Sequence, residues 1–420
     1  MAFPRTPIKY VTTFNDEVLP ESFDPDGLID YIEISDIDSY SGITGSTTLK
    51  FSEAPSRARR VIRADDVLIS TVRTYLRAIA STDRAHDGYI ASTGFCVLRP
   101  SKVHPGFLKY AASSPEFVEE VIARSTGISY PAINATDLVR LSIPVPCQKQ
   151  QANIAEFLDR ETTQIDDLIG KQERLIELLT EKRQGVISQA VTKGLDRTAP
   201  TQASGLPYLG EVPAHWVVRP FRLAAEYQEG PGIMAGDFLD EGVPLLRIAG
   251  VKDSYASLLG CKYLDPVKVA TRWNHFRLGL EDLLISASAS MGTVSEVGPE
   301  TVGSIAYTGI IRLRPRAGVI KEFLKLLVVS DPFLRQIELH KTGSTMQHYG
   351  PSHLSQMRFA FPPTSEQWQI VDHVAGTCSR IDKILEKAHK SVGLLRERRS
   401  ALISAAVSGR LDVPKYAAQP

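Results

Sequence analysis

The sequence predicts an α+β protein built as a tandem duplication, in which a globular α+β domain followed by a long α-helix occurs twice and the two helices pack as an antiparallel coiled coil. Three observations carry this. Between Gln151 and Lys193 no Pro interrupts an apolar pattern at Ile154, Leu158, Ile165, Ile169, Ile176, Leu179, Ile187 and Val191, a spacing that only a helix places on one face. The pattern returns without a gap at Ile370, Val374, Ile381, Leu385, Val392, Leu395, Ile403 and Val407, at a constant interval of 216 residues (370 − 154). The strand-rich segments before each helix also recur, Asp66, Leu68, Ile69 and Ser70 matching Asp282, Leu284, Ile285 and Ser286 at that interval.

In order, residues 1–142 form the first globular region. Short β-branched runs at 31–35, 60–72 and 91–100 read as strands, and 105–124 reads as a helix. Residues 143–194 follow as the first long helix, about 60 Å over its uninterrupted part at 1.5 Å per residue, ended by Gly194. So long an amphipathic helix needs a partner, and the like helix at 359–412 supplies one. Between them, 195–215 has the Pro, Gly, Ser and Thr content of a linker. Residues 216–358 repeat the strand, strand, strand, helix order, and 413–420 form a tail.

Zero formal net charge argues against binding nucleic acid by bulk charge but leaves a local basic face open. No run of 18 apolar residues and no signal-peptide pattern occurs, so the expectation is a cytoplasmic chain without a membrane partner. Cys96, Cys147, Cys261 and Cys378 are scattered, as expected of free thiols.

Enzyme signatures are mostly absent. The glycines of 230–236 are spaced wrongly for a dinucleotide loop and read as a turn. His340, His348 and His353 match no metal-ligand spacing, so no metal site is expected. The pairs Asp65-Asp66 and Glu281-Asp282 read as turn acids, and Thr364 with Gln367 as a capping box. No catalytic residue is assigned.

Basic and polar loops are the remaining candidates. Arg57, Arg59, Arg60, Arg63, Arg73 and Arg77, with Tyr75, make a local excess in the first region, and Arg272, Trp273, His275 and Arg277 a shorter counterpart in the second. Such cations suit phosphate contacts, with polar loops reading base edges. The loops at 125–130 and 341–349 add Thr126 and Tyr130, and Lys341, Thr345, Gln347 and Tyr349. The DNA-contact candidates are therefore Arg57, Arg59, Arg60, Arg73, Arg77, Thr126, Tyr130, Arg272, Lys341, Thr345, Gln347 and Tyr349. The seam residues, Val191 and Val407 apart, are the helix-packing candidates.

Together, the IPVP and FPP approaches to each helix with Gln151 and Gln367, the endings EKRQGVISQAVTKGLD and ERRSALISAAVSGRLD, the linker SGLPYLGEVPAHW and the DxLIS element of each region resemble the DNA-specificity subunit of type I restriction-modification systems. The likeness covers nearly the whole chain; Cys147 and Gln150 depart from the usual pattern at the first helix start. It implies two target-recognition domains, each reading half of a bipartite double-stranded DNA site, with the helices as spacer and docking surface for two modification (methyltransferase) subunits and restriction (translocase-nuclease) subunits outside them. It implies no catalysis by this chain; S-adenosylmethionine, ATP and Mg are expected in the partner subunits. A coiled-coil scaffold joining proteins without DNA would explain the helices but not the basic loops.

Overall fold

The computed structural model describes residues 3–38, 40–252, 254–287, 293–340 and 349–413. They divide into two compact units, Met1–Glu173 with His389–Pro420, and Arg174–Ala388.

In the first unit an antiparallel sheet has the order Thr12–Phe14, Phe95–Pro100, Val67–Ser70, Ile79–Ser81. A second sheet includes Leu28–Ile32 beside Ile90–Ser92, the pair running parallel. The second unit repeats the first sheet's order with Ala225–Glu229, Ile310–Pro315, Leu283–Ser286 and Val294–Glu296, and its parallel pair is Val243–Leu246 with Ile305–Ala306. The apolar run at 60–72 is two strands, Ala58–Val61 and Val67–Ser70, because Asp65 turns the chain at a φ of 70°. The helix expected at 105–124 is also two, Pro105–Ala112 and Pro115–Ala123, since Pro115 has no amide to continue the first.

The long helices run over Gln148–Lys193 and Thr364–Val407. Each starts five residues inside the range expected from 143 or 359, because the approach is a strand: Ser142–Pro144 pairs with Arg5–Pro7, and Arg358–Phe361 with Val217–Pro220. Their antiparallel pairing is marked by one ion pair made twice. Arg183 Nε lies 2.9 Å from Asp382, and Arg399 Nε, 216 residues after Arg183, lies 2.9 Å from Asp166. Arg396 adds a rung to Glu173 at 2.9 Å.

The seam is not helix against helix throughout. Ile154, Leu158 and Ile403 lie in the first unit's core with Phe107, Phe117 and Ile143, and Ile187, Ile370 and Val374 in the second unit's core with Trp216, Phe323 and Phe359. Ile165, Ile169, Ile381 and Val392 are buried, whereas Ile176, Leu179, Leu385 and Leu395 are half-buried. The reason is lateral: the ends of each helix are sandwiched by a globular core, whereas a helix pair alone leaves the flanks of its apolar stripe wet.

A buried glutamine ties each helix start to the region before it. Gln151 accepts a hydrogen bond from the His104 amide (2.7 Å) and donates one to the Pro146 carbonyl (2.7 Å). Gln367 accepts from the Ile320 amide (2.9 Å) and donates to the Gly318 and Pro362 carbonyls (2.8 and 2.9 Å). The capping-box role expected of Gln367 is thus replaced: its amide faces the interior, where unpartnered carbonyls and amides would be costly. Similarly, 195–215 is not a bare linker. Thr201–Ala203 and Glu211–Pro213 form a hairpin, and Leu209 and Val212 enter the second unit's core.

Candidate nucleic-acid interface

In the first unit, backbone bonding gathers several loops at one end of the sheets. The turn joining Ile90–Ser92 to Phe95–Pro100 receives both neighbours: the Thr93 amide donates to the Arg57 carbonyl (2.7 Å), and the Gly94 carbonyl accepts from the Thr71 amide (2.8 Å). Beyond Thr71 the chain passes through Arg73 and Arg77, both in the left-handed region (φ 51° and 54°). The loop containing Thr126 and Tyr130 joins them. Its base is closed by reciprocal 2.9 Å bonds between the backbones of Thr126 and Ala132, and the Ile133 amide donates to the Thr71 carbonyl (2.9 Å). Thr74 and Ser125 share a hydroxyl hydrogen bond of 2.7 Å.

The candidate arginines divide by partner. Arg57 is bound to Glu33 (2.7 Å) and to the Tyr31 hydroxyl (3.1 Å), and Arg77 to Glu119 (2.6 Å). Arg59 stacks 4.8 Å over Phe51 and Arg73 4.8 Å over the exposed ring of Tyr130. Arg272 lies 5.4 Å over Trp273, and Arg60 has a buried Nε without a partner. Among the described residues Arg59, Arg60, Arg73 and Arg272 have no carboxylate partner. These four, rather than Arg57 and Arg77, keep their charge available for an anionic ligand.

Arg63, noted with the basic residues, serves the fold. Arg63 and Arg99 both clasp Glu17 (2.5 and 2.6 Å), and Arg99 grips Asp66 through two 2.9 Å bonds. The Arg63 hydrogen bond, opposed by partial burial and aided by Arg99, holds the Glu17 carboxyl at about 2. Asp66 also accepts from the Arg63 amide (2.8 Å). Its counterpart Asp282 accepts from the Gly279 amide (2.7 Å) and holds Arg314 at 2.5 and 2.7 Å. Of the expected turn acids, Asp66 and Asp282 are therefore also buried halves of bidentate ion pairs, whereas Asp65 and Glu281 are exposed at positive φ.

Tyr349 must be withdrawn as a contact candidate. It is 1% exposed, its hydroxyl donates to the Ser286 carbonyl (2.9 Å), and its amide donates to the Ala287 carbonyl (3.2 Å) as that of Ile133 does to Thr71. The sequence held this signal: 216 residues separate Tyr349 from an apolar residue, Ile133. Thr126 is exposed; Lys341, Thr345 and Gln347 lie outside the described residues. Among the described residues no group of three potential metal ligands occurs. Cys96 is buried, which pushes its thiol up to about 12 and leaves it inert at neutral pH.

Arg247 was missed. It follows strand Val243–Leu246, and its guanidinium lies 4.3 Å from the Tyr307 ring and 5.8 Å from Phe238, again with no carboxylate partner among the described residues. As a single arginine outside any basic run, it gave sequence reasoning no signal. Only folding brings the two rings to it.

Residues 15–178 match the family model of the Type I restriction modification DNA specificity domain. The chain is similar to the type I restriction enzyme MjaVIII specificity subunit of Methanocaldococcus jannaschii, 22% identical over 78% of this chain and 75% of that one. It is equally similar to the EcoKI specificity subunit of Escherichia coli, 22% identical over 86% of this chain and 77% of that one. A solved chain from work on complex assembly and conformational transition of the type I R-M system has the same fold, with a TM-score of 0.73 at 22% identity over 98% of both chains. The chain is thus similar over most of its length to type I restriction-modification specificity subunits, and residues 15–178 carry the match to their DNA specificity domain.

Proposed function

We propose that this chain recognises a bipartite double-stranded DNA site, residues 1–142 reading one half and residues 216–358 the other. In this reading the long helices dock two modification (methyltransferase) subunits, and restriction (translocase-nuclease) subunits join outside those. The chain itself contributes recognition and no catalytic group, so S-adenosylmethionine, ATP and Mg belong to its partners.

One observation carries the reading: a repeated frame bears unlike tips. Both units keep the sheet order, the buried glutamine and the buried aspartate with its bidentate arginine. The first unit presents Arg59 and Arg73 on aromatic rings, and the second presents Arg247 and Arg272 on others. Planar cations fixed on rings, with their donor edges free, suit phosphate oxygens and base edges.

The test exchanges residues 216–358 for the matching region of a relative and maps methylated sites in cells that also express the modification subunit. One half of the motif is expected to change while the other stays. A change in both halves would overturn the assignment of one reader to each half.

A further inference from the structure

Resting on that reading, we propose that Ile128 is a DNA wedge: its side chain enters between adjacent base pairs in the half-site read by residues 1–142, while Arg73 holds a neighbouring phosphate. Ile128 has 103% relative exposure, so its apolar side chain has essentially no protein cover. The loop carrying it is braced by the paired Thr126 and Ala132 backbones, the Ile133 bond to Thr71 and the Thr74–Ser125 hydroxyl bond. Gly127 adopts a φ of +113°, and a Cβ there would lie 3.1 Å from the Tyr130 carbonyl oxygen, so the turn depends on glycine. The result is a braced tip, and Ile128 stays outside even though Tyr130 and Arg73 pair within the same loop cluster.

An uncovered aliphatic side chain beside an unneutralised guanidinium and an exposed aromatic ring is the composition a distorted duplex takes. Proteins that unstack a base step insert Ile, Leu, Phe, Met or Pro and kink the duplex by about 20–90°. The cation meets the phosphate that the kink brings close. The wedge is confined to one half-site. Along the sequence Thr126 and Gly127 match Thr342 and Gly343, and the amides of Ile133 and Tyr349 make the same backbone bond, so the same number of residues separates these points in each repeat. The residue at the position of Ile128 is then Ser344, which has no aliphatic body to replace a stacked base.

The test uses the full chain with its modification subunits and duplexes selected from a random pool by the wild-type complex. Bending is read by energy transfer between end labels, and unstacking by 2-aminopurine placed at successive positions. The wild type is expected to bend the duplex and to raise 2-aminopurine fluorescence at one step in one half-site. Ile128→Ser is expected to lose most of both signals and to bind about tenfold more weakly, about 1.4 kcal/mol. Its melting temperature should not change, because the side chain packs on nothing. Ile128→Leu should retain both signals. Unchanged bending and fluorescence in Ile128→Ser, with binding intact, overturns the wedge alone. Loss of subunit assembly in Ile128→Ser also overturns it, making the residue a protein contact. Failure of the wild-type complex to select any duplex overturns the recognition reading as well.

Discussion

Glu33 in the first unit and Arg247 in the second occupy one structural position. Each follows the strand of the parallel pair and precedes a single turn of 3-10 helix, Ile34–Asp36 or Ile248–Gly250. Glu33 neutralises Arg57, whereas Arg247 lies against Tyr307 and Phe238. Charge has reversed where nothing buried depends on it. At Asp66 and Asp282, and at Gln151 and Gln367, nothing has changed. The contrast shows what holds a residue in place through a duplication. A buried polar group has a fixed set of partners, and losing one leaves the others without water; a half-exposed group can be re-solvated.

The strongest way to break this comparison is to remove the aspartates. Asp66→Ala should cost about 3 kcal/mol, because Arg99, which grips it through two bonds, is only 26% exposed. Asp282→Ala should cost less, about 2 kcal/mol, because Arg314, the arginine hydrogen-bonded to it, is 42% exposed and water can replace part of the pair, while the less exposed Arg312 lies farther off at 3.9 Å. Hydrogen exchange at Val67–Ser70 and at Leu283–Ser286 reports the units separately. An equal loss would mean that exposure of the arginine does not set the difference.

Gln151→Leu and Gln367→Leu come next, each at about 2 kcal/mol from stranded backbone groups. Gln367 makes three hydrogen bonds and Gln151 two, so the second should lose slightly more. Urea unfolding followed by Trp216 fluorescence measures the second unit; a neutral Gln367→Leu would show that the ties are dispensable.

The smallest expected effect concerns acid. Glu17 titrates at about 2 when folded, below its ordinary 4.5, so its contribution is complete above pH 4.5 and is lost as pH falls from there through 2. Glu17 and Arg63 are 36% and 44% exposed, so salt should shrink the effect. Glu17→Gln should flatten the pH dependence of exchange in the first unit and leave the second unchanged. An unaltered acid profile would place the sensitivity elsewhere.

Much of this was legible in the sequence. The interval between Ile154 and Ile370 carried the duplication, and the uninterrupted seam carried both helices, because periodicity and repetition are linear properties. The site was legible only in part. Arg57 and Arg59 look alike along the chain, yet one meets a carboxylate and the other a ring, each brought to it by a different turn of the fold. Tyr349 looks like a loop tyrosine until its partner Ser286, 63 residues earlier in the chain, closes over it. Pairings of this kind are settled by the register of strands and loops, which local composition does not encode.

The braced base of the Thr126–Ala132 loop also bears on protein engineering. The fixed bonds lie at its two ends, whereas residues 128–130 are exposed. A library randomised at these three positions, with Gly127 retained, would be a population of folded proteins whose members differ at the tip and little in stability. Selection on such a library would sort its members by what the tip touches, with little interference from folding.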